Sequence, residues 1–279
     1  MLSKSVFRLL WLLAVSPVCF NLTAQPLARH NLQASPLPTR WDEAFPLGNG
    51  ILGCLVWQRD GALRLSLDRV DLWDLRPMRG LDRPEFNYKW VAEKAAGGAD
   101  TYRQVQEYFD QPYEQEAGPT KLPGAALEFP TTRLGKARGE LDLATGLVTL
   151  HYPDSLTILV FVDADGREGR FRIQGGTTNL EALIPQLLPP KYNGNANQAA
   201  GGSVAGDDLA RLGYNQAGVF TDKDIRVYHQ PCWGGFSYEV ALGVKKTADG
   251  ALEGVWSISS HFPQKPEPEK VRAMYIVKK

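Results

Sequence analysis

Apolar and polar residues alternate at several places along this chain, and the breaks between them carry turn chemistry. Ile51-Leu52-Gly53-Cys54-Leu55-Val56-Trp57 is a nearly unbroken apolar run. After Arg59-Asp60-Gly61, the segment Ala62–Leu67 alternates with period two, so Leu63, Leu65 and Leu67 share one strand face. Two strands joined by a Gly-containing turn predict a β-hairpin. A different pattern follows over 87–110. Trp90, Val91, Lys94 and Ala95, then Tyr102, Val105, Gln106 and Phe109, recur at helical spacing, which predicts one or two short helices broken near Gly97-Gly98. From 138 to 174 the chain returns to short strands. Glu140–Leu143, Leu147–Tyr152, Leu156–Val162 and Gly169–Gln174 are separated by Thr145-Gly146, Pro153-Asp154 and Asp165-Gly166, the layout of an antiparallel meander. Two more strands, 235–245 and 251–259, flank Asp249-Gly250.

The intervening segments are read from composition. Residues 25–37 are Pro-bearing and polar and predict an extended lead-in. Residues 193–208 hold no large apolar side chain except Val204 and predict an exposed loop, and 261–279 predict a linker or truncated tail. No internal repeat is visible. The predicted fold class is mainly β: an antiparallel β-super-sandwich with one or two short helices, over 38–260.

The N-terminus stands apart. Lys4 and Arg8 precede an apolar run from Leu9 to Phe20, and Thr23-Ala24 follow, the three-part layout of a secretory signal. The run is shorter than the roughly 20 apolar residues that a spanning helix needs. Residues 1–24 are therefore expected to leave, with Gln25 first in a secreted or periplasmic product and no membrane association after cleavage. The sequence balances 31 basic against 31 acidic residues, and loss of Lys4 and Arg8 makes it slightly acidic. Nucleic-acid binders carry a basic excess, so no nucleic-acid partner is expected. Hydrophobic content of 43% and charged content of 22% exclude wholesale disorder.

Candidate chemistry is sparse. Cys19 leaves with the signal, and Cys54 and Cys232 read as unpaired core cysteines, with a disulfide between them as the alternative that an oxidising compartment permits. Two cysteines and four scattered histidines lack the spacing of a zinc site, so neither metal nor cofactor is expected. Asp163-Ala164-Asp165-Gly166 superficially matches the start of a calcium loop, but flanking strands favour a hairpin turn. Asp68, Asp71 and Asp74 around Trp73 form an acidic group. Paired carboxylates do acid and base work on sugars only at a fixed separation, and these acids read better as strand-end carboxylates. His151 falls on a predicted strand and His229 in a predicted loop, neither with a Ser or Cys at motif spacing. Gly48-Asn49-Gly50 opens a strand and not a helix, which leaves it without the helix N-terminus of a phosphate site. Trp233, followed by Gly234-Gly235-Phe236, is the one candidate substrate-binding residue, as a stacking platform for a sugar face. No catalytic residue is assigned.

Trp41-Asp42-Glu43-Ala44-Phe45-Pro46-Leu47-Gly48-Asn49-Gly50-Ile51-Leu52-Gly53 resembles the opening of glycoside hydrolase family 95. That family begins with a tryptophan, an acidic-alanine step and a Pro-Leu-Gly-Asn-Gly-x-Leu-Gly turn. Leu63–Trp73 is similar to the strand that follows, ending in a Leu-Trp pair. Residues 119–129 and Leu141–Gly146 also resemble the domain. Asp68-Arg69 stands where the fucosidases carry Asn-Glu, and Asp74 where they have Ser-Gly, which marks a divergent branch. The resemblance implies an N-terminal β-super-sandwich of an α-L-fucosidase-like protein. In that family it packs on an (α/α)6 barrel holding the catalytic acids and water-activating asparagines, and no residue here corresponds to any of those. The expected function is accessory: the sandwich of a secreted glycosidase, with carbohydrate met directly or through an absent barrel. The alternatives are a stand-alone carbohydrate-binding module and, last, an independent enzyme using Asp68, Asp71 or Glu43.

Overall fold

The structure, a computed structural model, describes residues 25–76, 85, 87–115, 120–190, 192, 209–210 and 212–263. The expected signal peptide, the 193–208 loop and most of the 261–279 tail lie outside these residues. In chain order the strands begin with β1 (Leu32–Ala34), β2 (Phe45–Gly48), β3 (Leu52–Arg59), β4 (Ala62–Arg69) and β5 (Trp73–Asp74). Two helices follow, α1 (Tyr88–Ala95) and α2 (Ala99–Gln115). The second series is β6 (Thr120–Lys121), β7 (Ala126–Phe129), β8 (Arg138–Asp142), β9 (Leu147–His151), β10 (Thr157–Val162), β11 (Glu168–Gln174) and β12 (Gln186–Leu188). The last four are β13 (Val219–Asp222), β14 (Ile225–Pro231), β15 (Ser237–Lys246) and β16 (Leu252–His261). No helix among the described residues is long and apolar enough to cross a membrane.

The protein is mainly β, and all its strand pairs are antiparallel. One sheet has nine strands in the order β1-β8-β9-β10-β11-β16-β15-β14-β13, a second has five in the order β12-β7-β4-β3-β2, and β5 pairs with β6 alone. The two large sheets close on each other as a sandwich. Leu63, Leu65 and Leu67 of β4 all point inward as the alternation predicts, and meet Val160, Phe171, Val240 and Trp256 of the nine-stranded sheet in one core. Phe129 and Phe171 touch edge to face across the layers, with ring centroids 4.9 Å apart. The helices form where expected. Gly98, at φ 95°, breaks them, and the Asn87 side chain caps α1 by accepting from the Trp90 amide.

Three expectations need correction. The lead-in is only partly free, because β1 pairs with β8, Leu32 opposite Leu141, and Leu37 is buried with its amide on the Ala137 carbonyl. That pairing is made by backbone groups, which leave no side-chain period to read. His229 sits on β14 and not in a loop. On that strand Tyr228 and Gln230 turn inward and satisfy each other, so polar residues occupy core positions and hide the alternation. The last strand also runs on through His261.

Candidate functional site

One end of the sandwich gathers most of the residues singled out above. Asn49, in the β2–β3 turn, ties the two layers together. Its Oδ1 accepts from the amides of Ile51 and Leu52 at 3.0 and 2.9 Å, while its Nδ2 donates to the Asp163 and Gly166 carbonyls at 2.8 Å each. Asp163 in turn accepts from the amides of Asp165 and Gly166 through Oδ1, so Asp163–Gly166 is a hairpin turn held by its own aspartate. The Gly-Asn-Gly string is thus a clamp between turns.

Each of the three aspartates has an internal partner. Asp68 takes the Lys121 ammonium at 2.5 Å. Asp71 accepts from Arg69 Nε at 2.7 Å and from the Ser260 hydroxyl at 2.6 Å. The Arg69 guanidinium itself is buried and also donates to the Ile258 carbonyl across the layers, at 2.8 Å. Asp74 is fully enclosed. Arg76 grips it through Nε at 3.0 Å and Nη2 at 2.6 Å, and the Tyr214 hydroxyl donates to its Oδ2. Burial alone would raise both the Asp71 and Asp74 carboxyls, but the hydrogen bonds from Arg69 and Ser260, and from Arg76 and Tyr214, outweigh it and hold both below the usual carboxylate range. Both oxygens of Asp71 and of Asp74 are thus taken up by internal donors, while Asp68, on an exposed side chain, keeps one oxygen without a partner among the described residues. Glu43, the remaining acid considered, sits exposed in a single 3-10 turn beside Arg40.

Trp233 belongs to the same cluster. Its amide donates to the Tyr214 hydroxyl at 3.1 Å, and the Trp233–Gly235 turn is closed by the Cys232 amide on the Phe236 carbonyl at 2.7 Å. Gly234 and Gly235 sit at φ 70° and 79°, where a glycine is needed. Phe236 is driven inward and stacks on Phe262 with centroids 4.7 Å apart, while the Trp233 indole stays 47% exposed. Trp73, beside Asp74, is 44% exposed and anchored by its Nε1 on the Val70 carbonyl at 3.0 Å. Two half-exposed indoles therefore flank a saturated Arg76–Asp74–Tyr214 group. Arg76 and Tyr214 were not singled out from sequence. Arg76 is two residues from its partner and could have been found, whereas Tyr214 reaches Asp74 only through the tertiary fold.

The cysteines and histidines singled out above are not poised as nucleophile and base. Cys54 and Cys232 are free thiols. Burial pushes the Cys232 thiol up to about 12, and Cys54 higher still, so neither is a thiolate at neutral pH. His229 Nδ1 lies 3.3 Å from Glu239 on the outward face of the large sheet, and His151 is exposed at the opposite end of the sandwich. Among the described residues no group of three His, Cys, Asp or Glu could hold a metal ion. Compared with family models and with curated proteins, the chain matches none.

Proposed function

We propose that this chain is the accessory β-sandwich of a secreted or periplasmic glycoside hydrolase, α-L-fucosidase-like, whose hydrolysis is performed by a helical barrel outside the sandwich. The observation that carries the reading is the surface at the Trp233 end. Ile51, Val70 and Trp73 adjoin one another through the Val70 amide on the Ile51 carbonyl and the Trp73 indole on the Val70 carbonyl. With Leu75 they leave apolar side chains open to solvent, Val70 at 58% and Leu75 at 62%. Large apolar residues clustered beside saturated carboxylates suit a surface that another domain covers and no chemistry uses. The resemblance of Trp41–Gly53 to glycoside hydrolase family 95 supports reading that domain as a helical barrel.

A second reading, a stand-alone carbohydrate-binding module, is favoured by Trp233 alone, an indole held open on a rigid turn. Titrating the purified chain with neutral oligosaccharides, and assaying it on aryl glycosides, separates the two. The accessory reading expects no hydrolysis and no saturable binding. Saturable binding that Trp233→Ala abolishes transfers the assignment to the binding module, and hydrolysis by the chain alone overturns both.

A further inference from the structure

The other end of the sandwich holds a groove of about 640 Å³, within the range of small-ligand sites. Ser35, Lys136, Arg138, His151, Ser155 and Thr157 line it. Arg138, His151 and Thr157 face one another on adjacent strands: Arg138 on β8 is the direct partner of His151 on β9, which is the partner of Thr157 on β10. Partners across a strand pair project from the same face, so the Arg138 guanidinium and the His151 imidazole share one spot on the sheet and present their ring and guanidinium nitrogens together. None of Lys136, Arg138 and His151 enters an ion pair or hydrogen bond with another side chain among the described residues. Glu140, two residues along β8, accepts from Asn31 at 2.7 Å and from Gln33, and Asp154 accepts from the Thr177 amide at 2.8 Å and from its hydroxyl, so the bonds these carboxylates make go to those groups and not to the three basic residues.

We propose that this groove binds an anionic saccharide, one carrying uronate or sulfate groups on a hydroxyl-bearing chain. Lys136 and Arg138 meet the acid groups, with charge-assisted hydrogen bonds stronger than neutral ones. Ser35, Ser155 and Thr157 offer hydroxyls that donate to or accept from sugar hydroxyls. Besides the His151 imidazole the lining holds one aromatic ring, the buried Tyr152, so it presents no exposed Phe, Tyr or Trp on which successive nucleobases could stack. The whole sequence, with 31 basic and 31 acidic residues, lacks the excess that a polynucleotide backbone demands. This site is at the far end of the sandwich from Trp233, and it stands whether or not the accessory reading holds.

Calorimetric titration of the full chain tests it, with four probes: an oligogalacturonide, a heparin-derived hexasaccharide, a neutral cello-oligosaccharide and a single-stranded deoxyoligonucleotide. The expected result is saturable binding of one or both acidic saccharides that weakens as salt is raised. The carboxylate-only probe against the sulfated one tells which acid group is preferred. Lys136→Ala with Arg138→Ala weakens that binding by at least about tenfold, with an unchanged melting temperature, because both side chains are exposed and unpaired. Trp233→Ala leaves it unaltered. Failure of both acidic saccharides to bind overturns the proposal. So does equal binding by the double variant, or an oligonucleotide that binds as tightly as the saccharides.

Discussion

Asp74 is a carboxylate taken out of water and kept charged by geometry. A guanidinium gripped along two nitrogens and a phenol hydroxyl replace its hydration shell. Truncating it leaves the Arg76 charge, only a quarter exposed, without its partner. Asp74→Ala is therefore expected to cost about 3 kcal/mol in urea unfolding. Asp42→Ala, whose partner Arg40 is solvent-exposed, should cost within about 0.5 kcal/mol. Equal losses from the two variants contradict this account. The pH dependence follows from the same groups. Asp71 and Asp74 have folded-state pKa values held below the unfolded value of about 3.9, so between those values the unfolded chain binds more protons. Their stabilisation is present above that unfolded value and lost as pH falls through the folded ones. The doubly substituted Asp71→Asn, Asp74→Asn chain should show a shallower acid loss of melting temperature than the parent. At this scale the sequence was informative about residue type and silent about partners. It showed three aspartates and a tryptophan, but Ser260 and Tyr214, which decide what Asp71 and Asp74 do, are remote in sequence.

At the scale of elements, β11 and β16 are joined by two reciprocal pairs. Gly169 is opposite Trp256 and Gly254 is opposite Phe171, and each ring lies over its glycine. A Cβ added at Gly254 falls 2.0 Å from Phe171 Cζ, and one at Gly169 falls 2.0 Å from Trp256 Cζ2. Both rings are buried and have no room to withdraw, so Gly254→Ala and Gly169→Ala should each cost about 3 kcal/mol or more in denaturant unfolding. Gly50→Ala meets no atom within 4 Å and bears only the strain of φ 86°, about 1 kcal/mol. The Asn49 clamp is also element-level. Asn49→Asp keeps the acceptor for Ile51 and Leu52 but turns a carboxylate oxygen toward two carbonyls, so about 2 kcal/mol should be lost, and differential scanning calorimetry would show it. The β3–β4 hairpin and the β8–β11 meander were legible because their turns carry Gly, Asn or Asp and their inward faces are aliphatic. β1, β13 and β14 were not. β1 has three residues and β13 is an edge strand with no buried residue, while β14 places Tyr228 and Gln230 where an aliphatic was expected.

For the whole molecule, the two ends of the sandwich differ in chemistry. One presents Ile51, Val70, Trp73, Leu75 and Trp233 around carboxylates that are already neutralised. The other presents Lys136, Arg138 and His151, none of which pairs with an acidic side chain among the described residues. Replacing Val70 and Leu75 with Ser together should leave the melting temperature nearly unchanged, because neither is buried, while reducing any self-association seen in sedimentation velocity. The sandwich itself was legible from the spacing of its strands. The two-ended distribution of surface chemistry was not, since it depends on which turns the strand order brings to each end. On the proposed function, this sandwich serves a glycosidase without performing the hydrolysis. Immunodepletion tests it most directly: an antibody against residues 25–263 is used to strip secreted and periplasmic fractions of the source cells, which are then assayed on a panel of aryl glycosides. The account predicts that a glycosidase activity leaves with the antigen. Complete removal of the antigen with every activity left in place would contradict it.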